Sequence, residues 1–238
     1  MTVLSKRLNM VAALVTTGNT VADVGCDHAH TSIYLAEKGI SPGCIAMDVR
    51  KGPLEMAETN VRKSDVADRI QIRLSDGLTA LRPGEVDTVL ISGMGGLLIL
   101  EILEKYPEKT ASVKELVLSP QSDMDKVREW LSDHGFVVTD EEMCFDAGKY
   151  YLAIKAENAK LLGIRTSEST GEKEHFRFSG ILNKKRHEVY IAYLKHELSE
   201  CEKIIERLRL DEGEKARLRL EELYDECRRL NNEIDSMR

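Results

Sequence analysis

The sequence predicts a doubly wound α/β domain followed by an antiparallel helical hairpin, and three observations carry that expectation. Strand and helix signals alternate from residue 20 to about 156. Several of the strand signals end in short runs of aspartate, serine and glycine. Beyond residue 183 the pattern changes to apolar residues spaced three and four apart.

Taken in order, Val-Ala-Asp-Val at 21–24 ends in Gly25-Cys26-Asp27, and a helical stretch over 31–38 is stopped by Gly39. Cys-Ile-Ala-Met at 44–47 reads as a second buried strand ending at Asp48, with a helix over 53–62 and Pro53 near its first turn. Residues 70–74 alternate with period two before Ser75-Asp76-Gly77. A fourth strand, 86–91, is closed by Ser92-Gly93-Met94-Gly95-Gly96 and a helix over 97–105. The fifth, 115–118, leads through Pro120 to an amphipathic helix over 123–134, and 135–138 with 150–154 read as a terminal hairpin. Helices of roughly ten residues between strands imply right-handed crossovers and a largely parallel sheet. The expected fold is a Rossmann-like sandwich of seven strands.

The predicted domain spans 1–157, and 158–182 is a polar linker carrying Ser167-Glu-Ser-Thr-Gly171. The hairpin occupies 183–238, with one seam at Ile191, Leu194, Leu198, Cys201, Ile205 and Leu208. The other runs through Ala216, Leu220, Leu223, Cys227, Leu230, Ile234 and Met237, and Asp211-Glu-Gly213 joins them. Pairing residues whose numbers sum to roughly 424, by the rise of an ideal helix, puts Cys201 opposite Leu223 and Cys227 opposite Leu198. The two thiols are therefore not expected to form a bridge. Such a coiled-coil hairpin satisfies its own seam, so a monomer is expected.

Composition narrows the function. With 42 % hydrophobic and 32 % charged residues in 238, the chain can bury a core, and wholesale disorder is excluded. No apolar stretch nears the ~20 residues of a membrane span, and the N-terminal residues lack a signal-peptide core. Five cysteines without a CxxC pair point to a reducing compartment, hence the cytoplasm. A net charge of −7 argues against binding nucleic acid by bulk electrostatics but permits a locally basic surface.

In open α/β sheets the ligand sits beyond the carboxyl ends of the strands. Gly25 lets a ligand approach the backbone, with Asp23 and Asp27 as acceptors for a cationic or hydroxylated group. Asp48, beside Val49, can accept both ribose hydroxyls of an adenosine, and Asp76, before Gly77, can receive an adenine amino group. The Ser92, Gly93, Met94, Gly95, Gly96 loop is bare enough for a substrate to reach the cofactor. Neither G-x-G-x-x-G nor a Walker lysine is present, so phosphate cradling is disfavoured. The acidic strand ends suit S-adenosylmethionine, which carries an ammonium and a sulfonium and no phosphate.

Asp23-Val-Gly25-Cys-Asp27-His28-Ala29, the Gly-Met-Gly-Gly loop, Val127-Arg-Glu-Trp-Leu131, the Leu4-Ser-Lys-Arg-Leu8 opening and the hairpin together resemble the bacterial TrmK family. The resemblance spans nearly the whole chain. It implies a class I methyltransferase that uses S-adenosylmethionine to methylate N1 of the adenine at position 22 of tRNA. Ser92 before Gly93, and Ser-Pro-Gln-Ser at 119–122, depart from that pattern at the substrate edge. The aromatic motif of exocyclic-amine methyltransferases is absent, in keeping with a ring nitrogen as target. Adenine N1 has an in-plane lone pair and no proton, so direct in-line attack needs no obligatory general base. Asp27 and His28 are the candidate catalytic groups, His28 as acceptor of a proton leaving the product. N1 also lies on the Watson–Crick edge, so the base must be exposed first.

Lys6, Arg7, Arg128 and Tyr150 are candidates to contact phosphates or stack on a base, with Gly95 and Gly96 at the substrate edge. The hairpin, with 13 Lys/Arg against 14 Asp/Glu, is too mixed in sign for an electrostatic clamp; a shape-reading tRNA arm and a partner-binding appendage both remain open. Cys26-x-His28-x-His30 lacks the spacing of a zinc module and a fourth ligand, so no metal is expected. A methyltransferase for a small molecule or protein, or a non-catalytic scaffold on a degenerate methyltransferase core, stands as the alternative.

Overall fold

A computed structural model describes residues 2–164, 176–210 and 213–238. The chain divides into two compact units, one ending at Arg177 and the other beginning at Phe178.

In the first unit, helix α1 (Lys6–Ala13) starts where the Ser5 side chain accepts from the Leu8 amide. Strand β1 (Val21–Val24), helix α2 (His30–Glu37), strand β2 (Cys44–Asp48), helix α3 (Lys51–Arg62) and strand β3 (Ile70–Leu74) follow. Next come β4 (Thr88–Met94), α4 (Gly96–Glu104), the short α5 (Pro107–Thr110), β5 (Glu115–Pro120) and α6 (Met124–Asp133). Strands β6 (Phe136–Asp146) and β7 (Lys149–Asn158) complete a seven-stranded sheet in the order β3-β2-β1-β4-β5-β7-β6. The first five pair in parallel; β7 runs antiparallel to both neighbours.

Alternation along the strands builds the two layers. Leu90, Val117 and Ala153 join Val11, Ile33, Leu54 and Val61 in one buried cluster with α1, α2 and α3. Their strand neighbours Ile91, Leu116, Leu118, Leu152 and Ile154 are fully buried outside that cluster, on the opposite face where α4 and α6 pack. Several strands run past their sequence signals, β5 and β7 among them. β4 runs on through Ser92, Gly93 and Met94, and β6 takes in the polar stretch Asp140, Glu141 and Glu142.

The segment expected as a linker is ordered at both ends. Helix α7 (Ala159–Leu162) follows β7, capped by the Asn158 side chain, and helix α8 (Gly180–Lys184) is capped by Ser179. The Ser167–Gly171 stretch lies outside the described residues, as do Asp211 and Glu212 of the expected turn. The second unit therefore begins before 183, with α8 leading into α9 (Glu188–Leu208) and α10 (Glu214–Ser236). Tyr190, Leu194 and Ile205 of α9 and Ala216, Leu223, Leu230 and Ile234 of α10 are buried. Asn183 bonds to Glu233 and Ser236 at one end, and Arg209 to Tyr224 at the other, so the helices run antiparallel.

The register differs from the ideal-helix expectation. Cys201 and Cys227 are not layers apart but close enough to act on each other; both are free thiols, in keeping with the expected absence of a bridge, and burial pushes both up from the ordinary thiol range.

Candidate active site

The order of the sheet reverses between β1 and β4, since the chain lays down β2 and β3 on one side of β1 and then crosses to the other. That is where α/β sheets bind ligands, and a cleft of about 450 Å³ opens there. It brings together Asp23, Gly25, Asp27, Asp48, Val49, Asp76, Gly77, Ser92, Gly93 and Met94, along with His28 and Arg7.

The loop after β1 is shaped by backbone geometry. Gly25, Asp27 and Ala29 have φ of +74°, +51° and +58°. For the two non-glycine residues such a conformation costs roughly 1–3 kcal/mol each, and it persists because neighbours fix it. The amides of Gly25 and Cys26 both donate to the Met47 carbonyl, at 2.8 and 2.9 Å. Above Gly25 lies the Met94 methyl, 2.3 Å from where a Cβ would stand, so any larger residue at 25 must displace Met94.

Two carboxylates are sunk at the ends of β1 and β2. Asp23 is 4 % exposed and accepts from the Ser32 hydroxyl at 2.7 Å. Asp48 is 5 % exposed and accepts from the Arg50 amide at 2.9 Å, with the Arg50 Nε at 3.6 Å. Burial, helped by the nearby Asp48 charge, pushes the Asp23 carboxyl up to about 6. At the other edge of the sheet, buried Glu115 is held by Thr16, Thr88 and Lys155. Among the described residues Asp23 and Asp48 have no cation set against them so closely, and they favour a positively charged or hydroxyl-bearing ligand.

A stability consequence follows. Unfolded Asp23 releases its proton near 3.8, whereas the folded residue keeps it to about 6. The folded chain thus binds more protons in that window, and stability falls as pH rises through it. Asp23→Asn should stabilise the ligand-free protein at pH 7 by up to about 3 kcal/mol, a gain vanishing towards pH 4. Urea titrations at both pH values check this; an equal effect at both would refute it.

At the end of β4, Ser92 pairs with Ser119 and Met94 with Pro120, so Gly93 is an extra, bulged residue, at φ +83°. The Arg7 guanidinium stands over it, 3.2 Å from where a Cβ would lie. Arg7 also lies over the Tyr151 ring at 5.2 Å, and its amide donates to Asp146. Two buried polar atoms here, Ser92 Oγ and His28 Nδ1, have no partner among the described residues, while His28 Nε2 lies 3.6 Å from Asp27 Oδ2. Unpaired polar atoms at a cleft wall are what a polar ligand satisfies.

Gly95 precedes α4 and Gly96 opens it. A Cβ at Gly96 would stand 2.4 Å from the Ser122 carbonyl oxygen and 3.1 Å from that of Asp123, both backbone and unable to turn away. Gly96→Ala should cost about 1–3 kcal/mol and shift the wall of the cleft. Gly52→Ala, which meets nothing within 4 Å, should be neutral or slightly stabilising; thermal melting of the pair is the check.

Other expected residues are placed differently. Lys6 is exposed on α1 beside the cleft wall, not in it. Tyr150 is paired across the strands with Phe145, ring centroids 4.8 Å apart, also outside the cleft. Asp76 lines the cleft, but its carboxylate is held by Lys105 Nζ at 2.7 Å in an exposed, readily exchanged pair. Arg128 is a correction. Expected at a phosphate or base, it is 8 % exposed, with Nε donating to buried Glu141 at 2.8 Å and Nη1 to the Phe176 carbonyl. Its charge is spent inside the protein.

Sequence reasoning missed Leu98, Ile102, Arg50 and His30, which also line the cleft. The half-exposed leucines Leu97 and Leu98 at the start of α4 were the available signal. Among the described residues no group of three or more His, Cys, Asp or Glu side chains is set to hold a metal ion. No described helix is long and apolar enough to cross a membrane.

The sheet order and this acidic cleft define a methyltransferase domain, and the family described as "Methyltransferase domain" matches residues 4–154. The tRNA (adenine(22)-N(1))-methyltransferase of Bacillus subtilis is 32 % identical over 237 residues, covering 98 % of this chain and 97 % of the relative. A Streptococcus pneumoniae structure in complex with S-adenosyl-L-methionine is 32 % identical with a TM-score of 0.83, covering 98 % of this chain and 100 % of that one. M. capricolum TrmK, in complex with S-adenosyl-homocysteine, is 26 % identical with a TM-score of 0.82, covering 99 % of each chain. The chain belongs to the TrmK family of tRNA (adenine(22)-N1)-methyltransferases.

Proposed function

We propose that the protein transfers a methyl group from S-adenosylmethionine to N1 of the adenine at position 22 of tRNA. The carrying observation is the pair of buried carboxylates, Asp23 and Asp48, at successive strand ends beside an open glycine loop. Full-length likeness to a relative named for this reaction supports it. The residues fit the cofactor's chemistry: Asp23 and Asp27 suit its ammonium, Asp48 with Val49 its ribose, and Asp76 with Gly77 its adenine. Ser92, Gly93 and Met94 complete the wall. When bound, S-adenosylmethionine supplies a methyl group made electrophilic by the sulfonium.

The chain has no proton to remove from N1 beforehand, so its work is positioning and charge stabilisation. Asp27 and the His28 ring, 3.6 Å apart, face the cleft where positive charge develops on the base, and His28 can take a proton lost later. Arg7 overhangs the glycine bulge and, with Lys6, Gly95, Gly96 and Tyr150, forms the edge we assign to tRNA. The 183–238 hairpin we assign as a shape-reading tRNA arm. The reaction so read needs no metal; five free cysteines suit the cytoplasm, and a hairpin that satisfies its own seam suits a monomer.

Labelled S-adenosylmethionine, total bacterial tRNA and nucleoside analysis test the reading. Formation of 1-methyladenosine is expected. Cofactor binding without labelled tRNA would move the assignment to a small-molecule or protein substrate, and no cofactor binding to a scaffold.

A further inference from the structure

Asp27 and His28 stand on the loop between β1 and α2. A second hollow of about 340 Å³, lined by Asn60 among others, shares His30 with the cleft. Cys26 and Ala29 at the two ends of this loop are buried in the core cluster, and the turn between them is held by hydrogen bonds. The Gly25 and Cys26 amides anchor its base to Met47, and the Ala29 amide closes the turn on the Cys26 carbonyl at 2.8 Å. The outer limb is tied to a neighbouring helix by a side chain: Asn60 of α3, whose Nδ2 donates to the His28 carbonyl at 3.0 Å. A carbonyl only accepts, which fixes the orientation of the amide. That carbonyl sits between the two left-handed residues, Asp27 and Ala29, where the backbone has most to gain by relaxing.

We infer that Asn60 is a positioning residue for the cofactor site, holding the Asp27–His28 wall in the conformation that presents the Asp27 carboxylate to the cleft. The inference rests on the methyl-transfer reading above. Without the amide, the His28 carbonyl is free to turn to water, and Asp27 can leave its left-handed conformation. Asn60 touches neither ligand nor reacting atoms, so its effect passes through Asp27.

The test is calorimetric titration of S-adenosylhomocysteine into the full-length protein, comparing wild type, Asn60→Ala, Asp27→Asn and the double variant. Asn60→Ala should weaken binding about tenfold, the equivalent of one charge-assisted contact. Asn60→Asp, which sets a carboxylate against a carbonyl, should weaken it further. In the Asp27→Asn background, Asn60→Ala should change affinity by less than about twofold, because the positioned charge is already gone. Asn60→Ser, which keeps a short donor, replaces the alanine variant if that one does not fold. Methyl-transfer kinetics should show the loss in KM for S-adenosylmethionine, with kcat largely kept. Affinity within about twofold of wild type in Asn60→Ala overturns the inference. So does an equal loss with and without Asp27, since Asn60 would then act only structurally. Wild-type protein that binds no S-adenosylhomocysteine overturns the cofactor reading, and this inference with it.

Discussion

Arg128→Ala should lower the stability of the protein by about 3–5 kcal/mol, because it takes from the buried Glu141 carboxylate the guanidinium that bonds it. Glu141 is 1 % exposed, Arg128 8 %, and their bond ties α6 to β6 at 2.8 Å. In a unit of this size the loss corresponds to a fall in melting temperature of about 10 °C. Removing both charges together, as Arg128→Met with Glu141→Leu, should recover most of it, since two well-packed apolar side chains need no compensation. Affinity of the folded variant for tRNA should stay near that of wild type. A variant that melts normally but loses tRNA would return Arg128 to the substrate surface and sink this assignment.

The largest functional effect is expected at Asp48. Asp48→Ala should reduce methyl transfer at low cofactor concentration by about 100- to 1000-fold, the loss of two hydrogen bonds to a charged acceptor. The ligand-free fold should tolerate the change, since Asp48 is partnered by a single backbone amide and the Arg50 edge. Losing a second negative charge nearby should also bring the Asp23 carboxyl down from about 6. Calorimetry with S-adenosylhomocysteine and melting without it separate these effects. A fall in binding below about tenfold would mean that Asp48 does not hold the ribose.

The carboxylates were legible because each lies at or next to the end of a short, otherwise apolar strand, a place where a charge has no packing role. β1 and β2 are buried along their whole length, and their alternation with helices fixes which end faces the ligand. Arg128 was not legible. A basic residue on an amphipathic helix looks the same in sequence whether it faces water or a buried acid. Its partner lies in Asp140-Glu-Glu142, a stretch polar enough to pass for a loop but present as the middle of an eleven-residue strand. The bulge at Gly93 was read as a loop for a related reason: glycine and serine mark both a turn and a strand that must bend. Asn60 left no trace at all, since its role depends on which carbonyl a neighbouring loop turns towards it. The hairpin was visible as two seams, but spacing alone does not encode their register.

The neighbouring thiols of Cys201 and Cys227 make that register measurable without introducing a label. Sliding either helix by one heptad would part the sulfurs by about 10 Å, beyond the reach of a short dithiol-bridging reagent. The yield of the bridged species, read by mass after digestion, is therefore a ruler built into the hairpin. Followed with and without tRNA, it would report whether the two helices keep their alignment while the enzyme engages its substrate.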